Sequence, residues 1–159
     1  MEKESALRTR VYIDGYNLYY GCLKKSPHKW LDVRALVERI LSGILFEQNG
    51  QVVSYSFQSP AIKHFSAPIL AMFASAEDSV ACQNQYYSAL RAHLGDDFQL
   101  INGYHDAKLA RAYAWEEGKA ARECKMIEIW KLEEKQSDVA LALHMYSDAT
   151  RNVSLFLKW

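Results

Sequence analysis

Residues 9–17, TRVYIDGYN, decide the fold. Thr9–Ile13 is short, β-branched and aromatic, and it runs straight into Asp14-Gly15, so it reads as a strand delivered into a tight turn. Helical spacing follows at once. Val33, Leu36, Val37, Ile40 and Leu41 recur within residues 31–43, with Asp32 placed as N-cap and Gly43 as a stop. A strand that feeds a turn and then a helix is the opening unit of an α/β chain.

Outward from there the alternation continues. Residues 51–57 alternate weakly, and Ile62–Ile69, between Pro60 and Pro68, is the better strand. Glu77–Leu94 reads as a helix stopped by Gly95, Phe98–Tyr104 as a strand, and Ala107–Ala121 as a polar, helix-prone stretch. Lys125–Lys131 (KMIEIWK) alternates like a strand. Ser137–Ala149 is a periodic helix, and Val153–Leu157 (VSLFL) is an unbroken apolar run. Strands alternating with helices, the last strand apolar on both faces, predict a mostly parallel sheet covered on two sides. Ligands bind such sheets outside the carboxyl ends of the strands.

Composition sets the bounds. The 159 residues are half hydrophobic, carry no internal repeat or Pro/Gly-rich linker, and read as one domain over residues 1–159. Nineteen basic residues balance nineteen acidic ones, so bulk charge offers no case for nucleic acid. No run of eighteen apolar residues is present, the N-terminus lacks an apolar core, and three scattered cysteines form no CxxC pair. A cytoplasmic protein with reduced thiols is the expectation.

Two carboxylates meet the strand-end rule. Asp14 directly follows the first strand, with Asn17 three residues on as a second oxygen donor or hydrogen-bond partner. Asp138 sits at the start of the helix after KMIEIWK, and Ser137 and Asp138 are both expected to be able to cap it. Singly, Asp14 suits an Asx-turn and Asp138 an N-cap. As a pair on one sheet edge they suit a hard divalent cation, which prefers oxygen ligands. Arg10, Lys24, Lys25 and Lys29 belong to a local basic excess, which is either a solvated face or a phosphate track.

The string TRVYIDGYNLYYGCLK, followed by KWLD, resembles the opening of the NYN (LabA-like) domain among the PIN-like nucleases, and WKLEEKQSDVALALHMYSDA is similar to that family's second signature. HFSA at 64–67 and QYYSALR at 85–91 are looser matches. The resemblance implies a PIN-like three-layer α/β/α fold with a mostly parallel central sheet. It also implies a metal-dependent ribonuclease that hydrolyses RNA phosphodiesters. Asp14 and Asp138 would be its catalytic metal ligands, Asn17 and Ser137 would assist, and Mg²⁺ or Mn²⁺ would activate water. Single-stranded RNA is the expected partner, with Lys24, Lys25, Lys29 and Arg10 on its backbone.

This sequence departs from the family pattern after the last strand, where relatives carry a further acidic string and here only Lys158 and Trp159 follow. Asp148 does not replace it, lying ten residues past Asp138 and so ~15 Å along the helix. His144 is expected to pair with Asp148 at i+4 rather than to bind a cation. A C-terminally shortened fold with weakly bound metal and slow or absent cleavage is therefore the expectation. The alternative is a non-catalytic RNA-binding or assembly module, with a homodimer formed through an unpaired sheet edge.

Overall fold

The structure, a computed structural model, describes residues 6–151 and 155–158. Strand β1 (Leu7–Asp14) passes through the turn into a short helix α1 (Gly15–Leu18). Helix α2 (Val33–Leu41) follows, capped as its spacing predicts: the Asp32 carboxylate accepts the Arg34 and Ala35 N–H groups at 2.9 and 3.1 Å. A small hairpin, β2 (Phe46–Gln48) and β3 (Gln51–Val53), leads into β4 (Tyr55–Ser66). Then come α3 (Ser79–Leu94), β5 (Phe98–Asn102), β6 (Tyr104–Tyr113), β7 (Met126–Lys135), α4 (Ser137–Thr150) and β8 (Leu155–Lys158).

The chain is mixed α/β around a parallel sheet. Its strand order is β5-β4-β1-β8, and each neighbouring pair runs parallel. Strand alternation sends Val11, Ile13, Ile62 and Phe98 into one apolar cluster with Val33, Val37 and Leu41 of α2 and Leu90 of α3. Tyr12 and Phe65 point the other way and meet Leu141 of α4. The apolar run at 153–157 lies partly outside the described residues; the backbone of β8 pairs with β1 from Thr9↔Leu155 to Tyr12↔Lys158.

Two expectations need correction. Strand β4 begins at Tyr55 and runs through Pro60 rather than starting after it. The register with β1 slips between Thr9↔Phe57 and Val11↔Ile62, which bulges β4 at the proline, where no ladder N–H is required. Arg10 satisfies the carbonyls this exposes: its Nε donates to Pro60 O at 2.8 Å and a terminal nitrogen to Ser59 O at 2.9 Å.

The second correction concerns residues 107–121, expected to be helical. Residues 107–113 instead continue β6, paired antiparallel with β7 from Tyr104↔Lys135 to Tyr113↔Met126, and 114–120 form the connection. Its alanines, lysine and arginine favour a helix locally, but ten ladder partners from β7 outweigh a weak propensity. This long hairpin stands apart from the parallel sheet, so KMIEIWK is not one of that sheet's strands.

Helix α4 is tied down by an ionic cluster. Asp148, buried at its C-terminal end, accepts from Lys63 Nζ at 2.6 Å and from Arg10 at 2.8 Å, and Tyr12 donates its hydroxyl to the same carboxylate. His144 joins the network through Lys63, its Nδ1 lying 3.3 Å from the ammonium. Burial pushes the Asp148 carboxyl up, but the hydrogen bonds from Lys63, Tyr12 and Arg10 outweigh it and hold the group at about 2. For a depressed carboxylate the stabilisation is complete above its ordinary pKa near ~4 and disappears as pH falls toward 2. Replacing Asp148 with Ala leaves two buried cations without a counter-charge. Urea unfolding of Asp148→Ala is expected to show a loss of about 3–5 kcal/mol at neutral pH and a flatter acid limb. A loss below ~1 kcal/mol would show that the cluster is not what holds α4.

Candidate functional site

The site is built where β1, β4 and β5 end together. Asp14 closes β1 and caps α1: its carboxylate accepts the Asn17 backbone N–H at 3.0 Å and the Asn17 amide at 2.8 Å. Gly15 follows because nothing larger fits. A Cβ there would stand 2.5 Å from His64 Nε2 and 2.9 Å from the Phe65 carbonyl. On the far side, Gly103 N–H donates to Ser66 O at 2.9 Å, and Gly103 is pressed against α4. A Cβ on Gly103 would lie 2.5 Å from Ser137 Oγ and 2.6 Å from the Lys135 carbonyl. Two glycines thus let α1 and α4 close down on one rim of the sheet.

The predicted residues occupy that rim as follows. Asp14 is half-buried and its two oxygens are engaged by Asn17. Ser137 is buried and donates to Glu134 Oε1 at 2.5 Å, so it braces the end of β7 against α4. Asp138 is exposed in the first turn of α4 and accepts the Val139 N–H at 2.8 Å. Strand β4 lies between β1 and β5, so the end of β1 and the Gly103 backbone under Ser137 are about 10 Å apart. Among the described residues no hydrogen bond joins the two carboxylates, and no group of three or more His, Cys, Asp or Glu side chains is arranged to hold a metal ion.

The basic residues separate. Lys24 lies over the Tyr20 ring at 4.5 Å, and Lys25 and Lys29 are exposed. Arg10, expected on a nucleic-acid backbone, is instead buried among Asp148 and the β4 carbonyls, its donors turned inward.

Sequence reasoning missed His64, which faces the α3 side of the sheet directly beneath Gly15. Its ring packs edge-on against Tyr87, and the Tyr87 hydroxyl lies 3.4 Å from Nε2. Its Nδ1 is buried with no hydrogen-bond partner among the described residues. Burial drives its pKa down to about 4, so the imidazole is neutral at pH 7. Burial likewise raises the Tyr87 hydroxyl, and hydrogen bonding with Ser66 and Gln83 pulls it back in part. The available signal was AIKHFSA, residues 61–67: a lysine and a histidine inside a run of apolar and small residues must find buried partners.

Beside this rim a cavity of about 230 Å³ opens between α3 and β5. Tyr87 forms part of its wall, as does Asn102, the residue before Gly103. A second cavity, about 270 Å³ and mostly apolar, lies near the start of β4 between Leu41 and Tyr55.

No family profile matches the chain. No solved structure matches it either. One similar protein is 6-hydroxy-3-succinoylpyridine 3-monooxygenase HspA of Pseudomonas putida (strain DSM 28022 / S16), 47% identical over 149 residues and aligned to 90% of this chain. The chain spans about half of that relative's length, 48%.

This overturns several expectations. A relative this similar is named for oxygenation of a pyridine, so neither the NYN ribonuclease reading nor the RNA-binding alternative stands. RNA hydrolysis by Asp14 and Asp138 falls with them. Mg²⁺ or Mn²⁺ is likewise unsupported, since no metal-holding group is found among the described residues. The motif strings were short, and a carboxylate at a strand end serves many chemistries on one fold.

The buried imidazole makes a test of the rim. A histidine held neutral stabilises the fold fully above its unfolded pKa of ~6.5, and that stabilisation is lost as pH falls toward 4. Thermal or urea unfolding is expected to weaken over this window by on the order of 3 kcal/mol. The His64→Leu variant is expected to lack that slope. An unchanged slope in His64→Leu would show that His64 is not the group that titrates.

Proposed function

We propose that this chain takes part in monooxygenation of a small hydroxylated pyridine bearing a keto-acid side chain. The observation that carries this reading is 47% identity, across nearly the whole chain, to a relative named for that substrate. The fold is compatible with it, because a modest cavity opens next to the carboxyl rim where such sheets take ligands.

Monooxygenation inserts one oxygen atom and reduces the other to water, which requires two electrons and a cofactor able to handle O₂, such as a flavin, haem, copper or non-haem iron. The described residues do not fit such a group. Cavities of about 230 and 270 Å³ fall below the roughly 300–1,000 Å³ of ordinary ligand pockets, the sequence contains no G-x-G-x-x-G phosphate cradle, and among the described residues no group of three or more His, Cys, Asp or Glu is arranged to hold iron or copper. In this reading the described residues serve the substrate, and no step is assigned to a cofactor.

The name of the relative indicates what a protein side chain can contribute. Ring position 6, which bears the hydroxyl, is para to position 3, which carries the succinoyl group; an oxygen arriving there forms a ring C–O bond as the ring–carbonyl bond breaks, and the side chain leaves as the acid on taking up water, so two electrons suffice. Withdrawing the hydroxyl proton raises electron density at that carbon, so a positioned base accelerates the attack. Asp138 and Asp14 enter as candidate proton acceptors at the rim, with Ser137 and Asn17 holding their surroundings in place. Asp138 is the better placed, since Ser137 packs on Gly103 next to the cavity residue Asn102.

The test combines binding and turnover. The protein is expected to bind 6-hydroxy-3-succinoylpyridine by calorimetry. Supplied with a flavin in solution, an electron donor and ¹⁸O₂, it is expected to place one labelled atom in the product, and Asp138→Ala is expected to slow that by about 10²-fold or more. Absence of both binding and labelled product would overturn the proposal.

A further inference from the structure

The cavity between α3 and β5 has a pattern that packing alone does not require. Gln83, Asn84, Tyr87, Ser88 and Arg91 follow one another at helical spacing along a single face of α3, and that polar face looks across at Asn102 on β5. Strand β5 is an edge of the parallel sheet, so this side of the cavity is closed by side chains rather than by another strand. Pro68 and Leu100 complete the wall, and no acidic residue contributes to it.

The polar groups divide into two sets. Gln83 is engaged at both ends: its amide donates to Ala67 O at 3.2 Å and its carbonyl accepts the Ile69 N–H at 2.9 Å, which fixes the loop after β4. Tyr87 is engaged with His64. The side chains of Asn84, Ser88, Arg91 and Asn102, by contrast, have no hydrogen bond or ion pair within the protein among the described residues. One cation, two amides and a hydroxyl, all on exposed residues, therefore border a shared space and are held by no partner in the protein.

We propose that this cavity is a binding subsite for a one-ring aromatic acid, with Arg91 pairing the ligand's carboxylate. The guanidinium fork matches a carboxylate in two parallel hydrogen bonds, and the cavity offers no competing negative charge. Tyr87 and Leu100 provide the apolar surface for a flat ring. Asn84 and Asn102 each donate and accept, which suits a ring nitrogen and a keto oxygen. The volume of about 230 Å³ selects against a dinucleotide. The choice of ligand rests on the function proposed above: a succinoyl group ends in a carboxylate, and the hydroxypyridine is the ring.

Calorimetry separates the two ideas, with 6-hydroxy-3-succinoylpyridine and nicotinate as probes on the whole chain and on Arg91→Ala, Arg91→Lys and Asn102→Ala. The pyridine keto acid is expected to bind, to weaken about tenfold or more in Arg91→Ala, and to recover partly in Arg91→Lys. Asn102→Ala is expected to weaken it less. Unfolding curves run alongside separate affinity from fold, because a role confined to balancing the end of α3 would shift stability and leave affinity alone. Binding of the keto acid that is indifferent to Arg91 would overturn the subsite and leave the proposed function standing. Arg91-dependent binding of nicotinate without binding of the keto acid would keep the subsite and remove the function. Failure of both probes would overturn the subsite.

Discussion

The carboxylate of Asp148 is the point from which the rest of the molecule is held. Three donors from two strands, Arg10 and Tyr12 of β1 and Lys63 of β4, converge on a group near the end of α4. The cluster sits on the sheet face that the larger apolar core does not use. Leu141, Tyr12 and Phe65 form a small apolar contact there, too little on its own to set the pose of a fourteen-residue helix. Directional, charge-assisted bonds supply the missing specificity, and the two buried cations share one carboxylate.

Anchoring α4 at its C-terminal end determines what its N-terminal end can do. The helix begins where Ser137 meets Gly103, and the close packing of those two residues holds the first turn beside the ends of β4 and β5. Gly15 performs the matching task at the end of β1, where it sits over His64 and the Phe65 carbonyl. The rim is therefore a consequence of two tight glycine contacts and one distant ion cluster, and the cavity along α3 opens beside it.

Strand-end carboxylates suggested a hydrolytic metal site, whereas a relative nearly half identical in sequence is named for pyridine oxygenation. The two are not far apart in geometry. On a parallel sheet either would draw on the carboxyl edge, where such sheets take ligands. What separates them is the charge around the ligand. A metal site gathers several carboxylates, while the cavity along α3 carries a single arginine and uncharged polar groups.

The sequence by itself determined the parallel α/β character, the turn at Asp14-Gly15 and the start of α2 at Asp32, because each rests on local spacing, backbone freedom or capping within a few residues. It also placed Asp14 and Asp138 at element ends. The fate of residues 107–113 was decided by tertiary structure, since helix-forming alanines yielded to a ladder with partners up to 25 positions away, Ala107↔Leu132. So was the role of Arg10, which belongs to a bulge in β4 and to a carboxylate 138 positions further on in the chain, Asp148. His64, Tyr87 and the row along α3 acquired meaning only through burial and mutual approach, and such non-local quantities are set by which strands become neighbours, not by the order of residues along any one of them.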